Sequence, residues 1–157
     1  MVQDVHFLSR ALELARQGSE SGDGGPFGAV VVQAGRIVGE GWNRVVAAHD
    51  PTAHAEILAL RAASKALQRF HLDDCVLYAS SEPCPMCLAA AYWARIARVV
   101  YANPRSEAAA IGFSDDWLYR ELTLPPAERG LPLEHMTVAG ADSVLKNWFR
   151  NPDRTDY

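Results

Sequence analysis

The 157-residue sequence predicts an α/β fold, a three-layer α/β/α sandwich around a mixed five-stranded sheet. Two observations predict it. Segments with helical apolar spacing alternate with short β-rich runs, and two of those runs are joined by a tight turn while the others are separated by helices. A chain of this length also suffices for one well-formed core, so a single domain spanning 1–157 is expected.

The elements follow in order. Phe7/Leu8, Ala11/Leu12 and Leu14/Ala15 recur at helical spacing, and Gly18 marks the expected end of that helix. "SGDGG" at 21–25 is a loop. "PFGAVVVQ" and "RIVGEGW" flank Ala34-Gly35 and read as a β-hairpin. Asp50-Pro51 supplies an N-cap and a first-turn proline for the helix in "TAHAEILALRAASKAL". "CVLYAS" is a short buried strand, "EPCPMCLAAAYWARI" another helix, and "RVVYAN" the strand after it. Beyond residue 105, "DDWLYREL" predicts a short helix, "PLEHMTVA" a fifth strand, and "DSVLKNWFR" a last helix before a polar tail.

Hydrophobic residues make up 49% and charged residues 22%, the balance of a soluble globular chain. No apolar run reaches bilayer length, and "MVQDVHFLSR" lacks the basic-then-apolar order of a signal peptide. Three cysteines make no disulfide framework, so a cytoplasmic setting is expected. Net charge is −4, and the stretch from Ser106 onward holds nine acidic and five basic residues. That composition argues against a nucleic-acid partner, since phosphate binding rests on clustered Lys and Arg. No membrane association is expected either.

Chemistry concentrates in two short stretches, "TAHAE" at 52–56 and "SSEPCPMC" at 80–87. His54 is expected in the first turn of one helix, Cys84 and Cys87 in the first turn of the next. Positions i and i+3 share a helix face, so both sulfurs can aim at one point. A helix N-terminus favours the thiolate form that binds metal. Pro83 and Pro85 fit there because the first turn has no intrahelical use for their missing N–H groups. Two thiolates and an imidazole suit Zn²⁺ with a fourth position open, a catalytic rather than structural count.

These residues could also serve other chemistry. A closed four-ligand site would need Cys75, but four residues of strand separate it from the Cys84 end by roughly 13 Å. A redox Cys-x-x-Cys would leave His54 and Glu56 without a reason. Glu56 alone is an ordinary first-turn acid; beside an open metal position it becomes a proton carrier. Its spacing from His54 is awkward, because residues i and i+2 point to nearly opposite sides of a helix.

His-x-Glu followed by Pro-Cys-x-x-Cys is the signature of zinc nucleobase deaminases. "HAE" at 54–56 and "PCPMC" at 83–87 match it, so the chain resembles the cytidine/purine deaminase superfamily. "GGPFGAVVV", "DPTAHAEILALR", "LDDCVLYASSEPCPMC", "YWAR" and "GFSDDWLYRE" extend the similarity to the bacterial guanine deaminase family over nearly the whole chain.

The resemblance implies a cytidine deaminase-like fold, one Zn²⁺ per chain on His54, Cys84 and Cys87, and hydrolytic release of ammonia from guanine. Glu56 and Asp115 would handle protons; Asp116 stands next to Asp115 as the other reading of the family's "GF-x-D". Asn43, Phe27 and the Ala55 amide would contact a small purine. It also implies a homodimer in which residues 140–157 are exchanged and Tyr157 closes the partner subunit's site. Departures are "CLAA" where a glycine is usual, Ser114 before the acidic pair, and a tail carrying Pro152, Asp153, Arg154 and Asp156. The alternatives are a tRNA adenosine deaminase, or a deaminase of cytosine or another free amino-heterocycle.

Overall fold

From Ala29 to Val32 no residue is more than 4% exposed, so this apolar run must face protein on both sides. In the computed structural model, which describes residues 2–157, the run forms β1 (Gly28–Gln33). Around it lie α1 (Val2–Glu20), β2 (Arg36–Trp42), α2 (Val45–Ala48), α3 (Ala55–Leu67), β3 (Cys75–Ser81), α4 (Pro85–Trp93) and β4 (Arg98–Asn103). Then come α5 (Arg105–Ala110), α6 (Asp116–Thr123), a 3-10 turn (Pro126–Glu128) and α7 (Ala141–Arg150). The chain gathers into two compact units, the first ending at Asp116 and the second running from Trp117 to Tyr157.

The sheet runs β2-β1-β3-β4. β1 is antiparallel to β2 and to β3, whereas β3 and β4 are parallel, which requires the crossover that α4 provides. The hairpin turn falls on Ala34 and Gly35, both at positive φ, as the two-residue turn demands. Alternate residues divide the core. Ala29, Val31, Cys75 and Leu77 pack with Ala55, Ala59, Leu60 and Ala63 of α3 and Ala91 of α4. Val30, Val32 and Tyr78 pack with Phe7 and Leu14 of α1. Helices therefore cover both faces, as expected for a layered α/β sandwich.

Helix α3 sits unusually close to β2. A Cβ on Gly41 would lie 2.4 Å from the Ala55 carbonyl oxygen, and one on Gly39 would lie 2.3 Å from that of Ala59. Only glycine permits this approach, which holds the start of α3 against the end of the strand.

Four expectations are corrected. The described residues contain four strands, not five: 132–139 form no ladder. Leu133, Met136 and Val138 there are 57–79% exposed, and β-propensity without a pairing neighbour makes no strand. Helix α1 does not stop at Gly18 but continues to Glu20. Gly18 is buried because Trp42 packs onto it, its Cδ1 2.3 Å from where a Cβ would stand. Asp50 does not cap α3; its carboxylate accepts the Thr52 N–H at 2.8 Å and the Thr52 hydroxyl at 2.7 Å, and so stabilises a turn. Finally, the helix containing "TAHAE" starts at Ala55, with the short α2 ahead of it.

In the second unit no residue is buried. Its α7 carries Val144, Leu145, Trp148 and Phe149 at 47–74% exposure. Arg154 folds the tail back onto that helix, donating to the Phe149 carbonyl at 2.7 Å and lying over the Trp148 and Phe149 rings. Among the described residues no helix is long and apolar enough to cross a membrane.

Candidate active site

His54 and Cys84 occupy the same structural position on different helices: each is an N-cap with extended backbone, His54 at φ −73°, ψ 153° and Cys84 at φ −67°, ψ 168°. Neither side chain caps its own helix, so both are available to point beyond it. Pro85 occupies the first helical position of α4, and Cys87 two residues on lies in its first turn. The strand end leading to Cys84 is pinned by Asn103, whose side-chain amide donates to the Ser80 carbonyl at 2.9 Å while its own carbonyl accepts the Glu82 N–H.

His54, Cys84 and Cys87 present ligand atoms within 4.8 Å of one another. Nδ1 of His54 lies 3.6 Å from Cys84 Sγ and 3.5 Å from Cys87 Sγ. Tetrahedral zinc with Zn–S of about 2.3 Å and Zn–N of about 2.0 Å requires N···S separations of about 3.5 Å. The three side chains thus fit zinc with a fourth position open. Cys75, buried at the start of β3, lies outside the group.

The electrostatics agree with a thiolate site. Cys84 is held down at about 4, first by the Cys87 hydrogen bond and then by His54. Cys87 is pushed up, first by Cys84, then by burial and the Glu56 charge. Contact with the Cys84 sulfur raises His54. Zinc, when bound, would favour the thiolate form of both sulfurs.

Glu56 is 7% exposed, and its Oε2 lies 3.5 Å from Cys87 Sγ. Burial is the first cause raising its carboxyl above the ordinary range. The i, i+2 difficulty disappears because His54 is not a helical residue but the cap before one. Its extended backbone frees it from the helical angular period that governs Glu56. Ala55, fully buried, takes the first helical position between them, where the N–H has no intrahelical acceptor.

Asn43 is 5% exposed, and its Oδ1 accepts the Gly25 and Val45 N–H groups at 3.3 and 3.2 Å. Two backbone donors can be met only by the oxygen, so the amide orientation is fixed and these bonds leave the nitrogen unused. The following N–H, of Arg44, donates to the carbonyl of Ala53, next to His54. Phe27 meets Phe113 edge-on at 4.9 Å, a partner that "GFSDD" contained but sequence reasoning did not single out. Of the two adjacent acids, Asp116 is exposed, begins α6 and lies 3.6 Å from Arg105. Asp115 is half-buried; desolvation is the first cause raising its carboxyl, and the Cys84 charge adds to it. Tyr157, in the second unit, is 73% exposed.

Comparison with known proteins agrees with this geometry. Residues 1–103 match the cytidine and deoxycytidylate deaminase zinc-binding region. The chain is 47% identical over 151 residues to the guanine deaminase of Bacillus subtilis (strain 168), covering 96% of this chain and 97% of that one. The X-ray structure of guanine deaminase from Bacillus subtilis superposes with a TM-score of 0.94 over 97% of each chain. A tRNA-specific adenosine deaminase of Haemophilus influenzae is 43% identical over 119 residues, 73% of this chain and 68% of that protein. With a three-ligand zinc site, a buried glutamate beside it and a near full-length relative, the chain belongs to the cytidine and deoxycytidylate deaminase family.

Proposed function

We propose that this chain hydrolyses guanine to xanthine and ammonia. The observation that carries the reading is the buried Glu56 carboxylate set 3.5 Å from a sulfur of the three-ligand zinc cluster, in a chain similar over 96% of its length to a guanine deaminase. His54, Cys84 and Cys87 would hold zinc, which when bound would supply the Lewis acidity that makes water a nucleophile near neutral pH. Glu56 takes a proton from the attacking water and passes it to a purine ring nitrogen. The water oxygen adds to the amino-bearing carbon, and the amino group leaves as ammonia after protonation by Glu56 or Asp115.

Asn43 offers its side-chain nitrogen to the purine, the Ala55 N–H binds a carbonyl oxygen or ring nitrogen, and Phe27 supplies a flat apolar wall. Phe113, edge-on to Phe27, extends that wall. The whole chain acts as one domain in a homodimer, with residues 140–157 exchanged and Tyr157 closing the partner subunit's site. The exposed apolar side chains of α7 support this, since an isolated chain leaves them in water. A closed site of this kind fits a free base rather than a polynucleotide, and the cytoplasm is its expected compartment.

A second reading, deamination of adenosine in tRNA, is favoured by the 43% identity to a tRNA-specific enzyme. The acidic stretch after Ser106 opposes it. Ammonia release measured over guanine, adenine, cytosine, amino-triazines, their nucleosides and unmodified tRNA separates the two. Guanine should be among the best substrates and tRNA inert; tRNA turnover without free-base turnover would overturn the proposal.

A further inference from the structure

Asn43 does not hold its position alone. The two residues flanking it, Trp42 and Arg44, both reach the same carboxylate. Trp42 Nε1 donates to Asp23 Oδ2 at 2.7 Å, and Arg44 Nε lies 3.8 Å from that oxygen. The Arg44 guanidinium also lies 5.8 Å from the centre of the Trp42 ring, which closes a triangle around Asp23. The Asp23 backbone adds to the grip: its carbonyl accepts the Val46 and Ala47 N–H groups at 3.2 and 3.0 Å, and its N–H donates to Gly18 at 3.0 Å. Two residues on, Gly25 donates to the Asn43 side chain itself. The intervening Gly24 passes so close that a Cβ there would stand 2.1 Å from Asn43 Oδ1.

This arrangement is more than a loop needs in order to turn. The loop at 21–25 and the α2 segment are tied together at Asp23, with Asn43 enclosed between them. Because Asn43 Oδ1 is committed to two backbone donors, any slackening of either segment releases the carboxamide to rotate. A rotated carboxamide presents oxygen where the substrate requires a donor. An amide flip leaves shape almost unchanged but inverts hydrogen-bonding character.

We propose that Asp23 is a positioning residue of the substrate site, gripping both neighbours of Asn43 so that the Asn43 nitrogen, and not its oxygen, is left for the purine. This rests on the reading of Asn43 as a substrate contact. Asp23 itself touches no reacting atom. Its effect therefore belongs to substrate binding, with little change at the chemical step once substrate is seated.

The test is a double-mutant cycle between Asp23 and Asn43 on guanine, with KM and kcat read separately. Asp23→Ala should raise KM at least about tenfold and leave kcat within about threefold, while zinc content is unchanged. Asp23→Asn keeps an acceptor for Trp42 Nε1 and should restore most of the loss. In an Asn43→Ala background, Asp23→Ala should add less than about twofold. An equal KM effect in both backgrounds overturns the proposal, and so does an unchanged KM in the native background. Should Asp23→Ala lose zinc or folded structure, Trp42→Phe, which keeps an aromatic ring at that position and removes the donor to Asp23, takes its place under the same criteria.

A second readout needs no turnover. The Asn43 side-chain amide, identified by its absence in Asn43→Ala, should give a dispersed ¹⁵N–¹H pair that moves toward the free-amide position in Asp23→Ala; an unmoved pair overturns the proposal. Failure of the substrate reading looks different. It leaves the native protein inactive on guanine, and the cycle is then read on the amino-heterocycle it does deaminate.

Discussion

Glu56 and Cys87, 31 positions apart, meet with a carboxylate oxygen 3.5 Å from a sulfur. The acid stays outside the ligand group, yet it is nearly buried beside it. A carboxylate so placed is costly to desolvate and contributes little to folding. In the proposed reaction its role is proton transfer.

Glu56→Gln should therefore retain zinc and a melting temperature no lower than the native one, because the buried charge is relieved. Turnover of guanine should fall by about 10²–10⁴-fold, the contribution of a positioned general acid–base. Ammonia release and thermal melting on the same preparation check both halves. Turnover close to native would remove Glu56 from the mechanism.

Metal content tests the ligand set. Native protein should carry close to one zinc per chain by elemental analysis, and Cys84→Ala or Cys87→Ala should lose it. Since zinc on these ligands would join the start of α3 to the start of α4, its removal by a chelator should also lower the melting temperature. A double variant that still binds a full complement would sink the assignment.

Backbone contact between β2 and α3 predicts a stability effect away from the chemistry. In Gly41→Ala the new Cβ meets Ala55 and Ala59 backbone atoms, at 2.4 and 2.7 Å, that cannot rotate away. A loss of roughly 1–3 kcal/mol is expected from such overpacking, read as a shifted midpoint in denaturant. Activity should fall with it, because Ala55 stands between His54 and Glu56. An unchanged midpoint would mean that α3 can lift off the sheet freely.

Acid stability carries a signature of the Arg10–Glu40 pair, which joins α1 to β2 through two bonds of 2.8 and 2.9 Å. The Arg10 hydrogen bonds hold the Glu40 carboxyl below its ordinary value. The pair thus adds stability above the unfolded value near pH 4.3, and that increment is lost as pH falls through the lower folded value. Both side chains are about one-third exposed, so the increment should be modest, about 0.2–1 kcal/mol. Native protein should melt above Glu40→Gln at pH 6, and the gap should close on acidification. A gap that widened in acid would contradict the pairing.

The tail is tested by truncation. Removing residues 151–157 should spare zinc and overall fold while strongly reducing turnover, and the native protein should sediment as a dimer. Full activity on guanine in the truncated protein would leave the segment without a catalytic role.

The metal ligands were legible in the sequence because their chemistry is rare and their spacing is local. Two cysteines three apart behind prolines, and a histidine two before a glutamate, suit few purposes besides holding a metal next to an acid. Most elements were legible for a similar reason. Apolar spacing in α1 and the apolar runs of β1 and β3 record the burial that each achieves, and the hairpin turn announced itself in Ala34-Gly35. The likeness to a known family added the expectation that Asn43, Phe27 and Asp115 contact substrate, where local pattern alone reads turn, core and surface residues.

Other features depended on residues far apart in sequence, and only the tertiary structure decided them. Gly18 reads as a helix terminator, but the helix runs through it because Trp42, from another element, occupies the missing Cβ. His54 reads as a first-turn residue, yet it is the cap, and that one-residue difference in backbone state lets it share a site with Glu56. Residues 132–139 have the composition of a strand and form none among the described residues, since a strand is stabilised by its partner. The joint hold of Asp23 on both neighbours of Asn43 was equally hidden. Local sequence determines which conformations a segment can adopt and which chemistry it carries; the packing of distant side chains determines which of those conformations is realised and which groups meet.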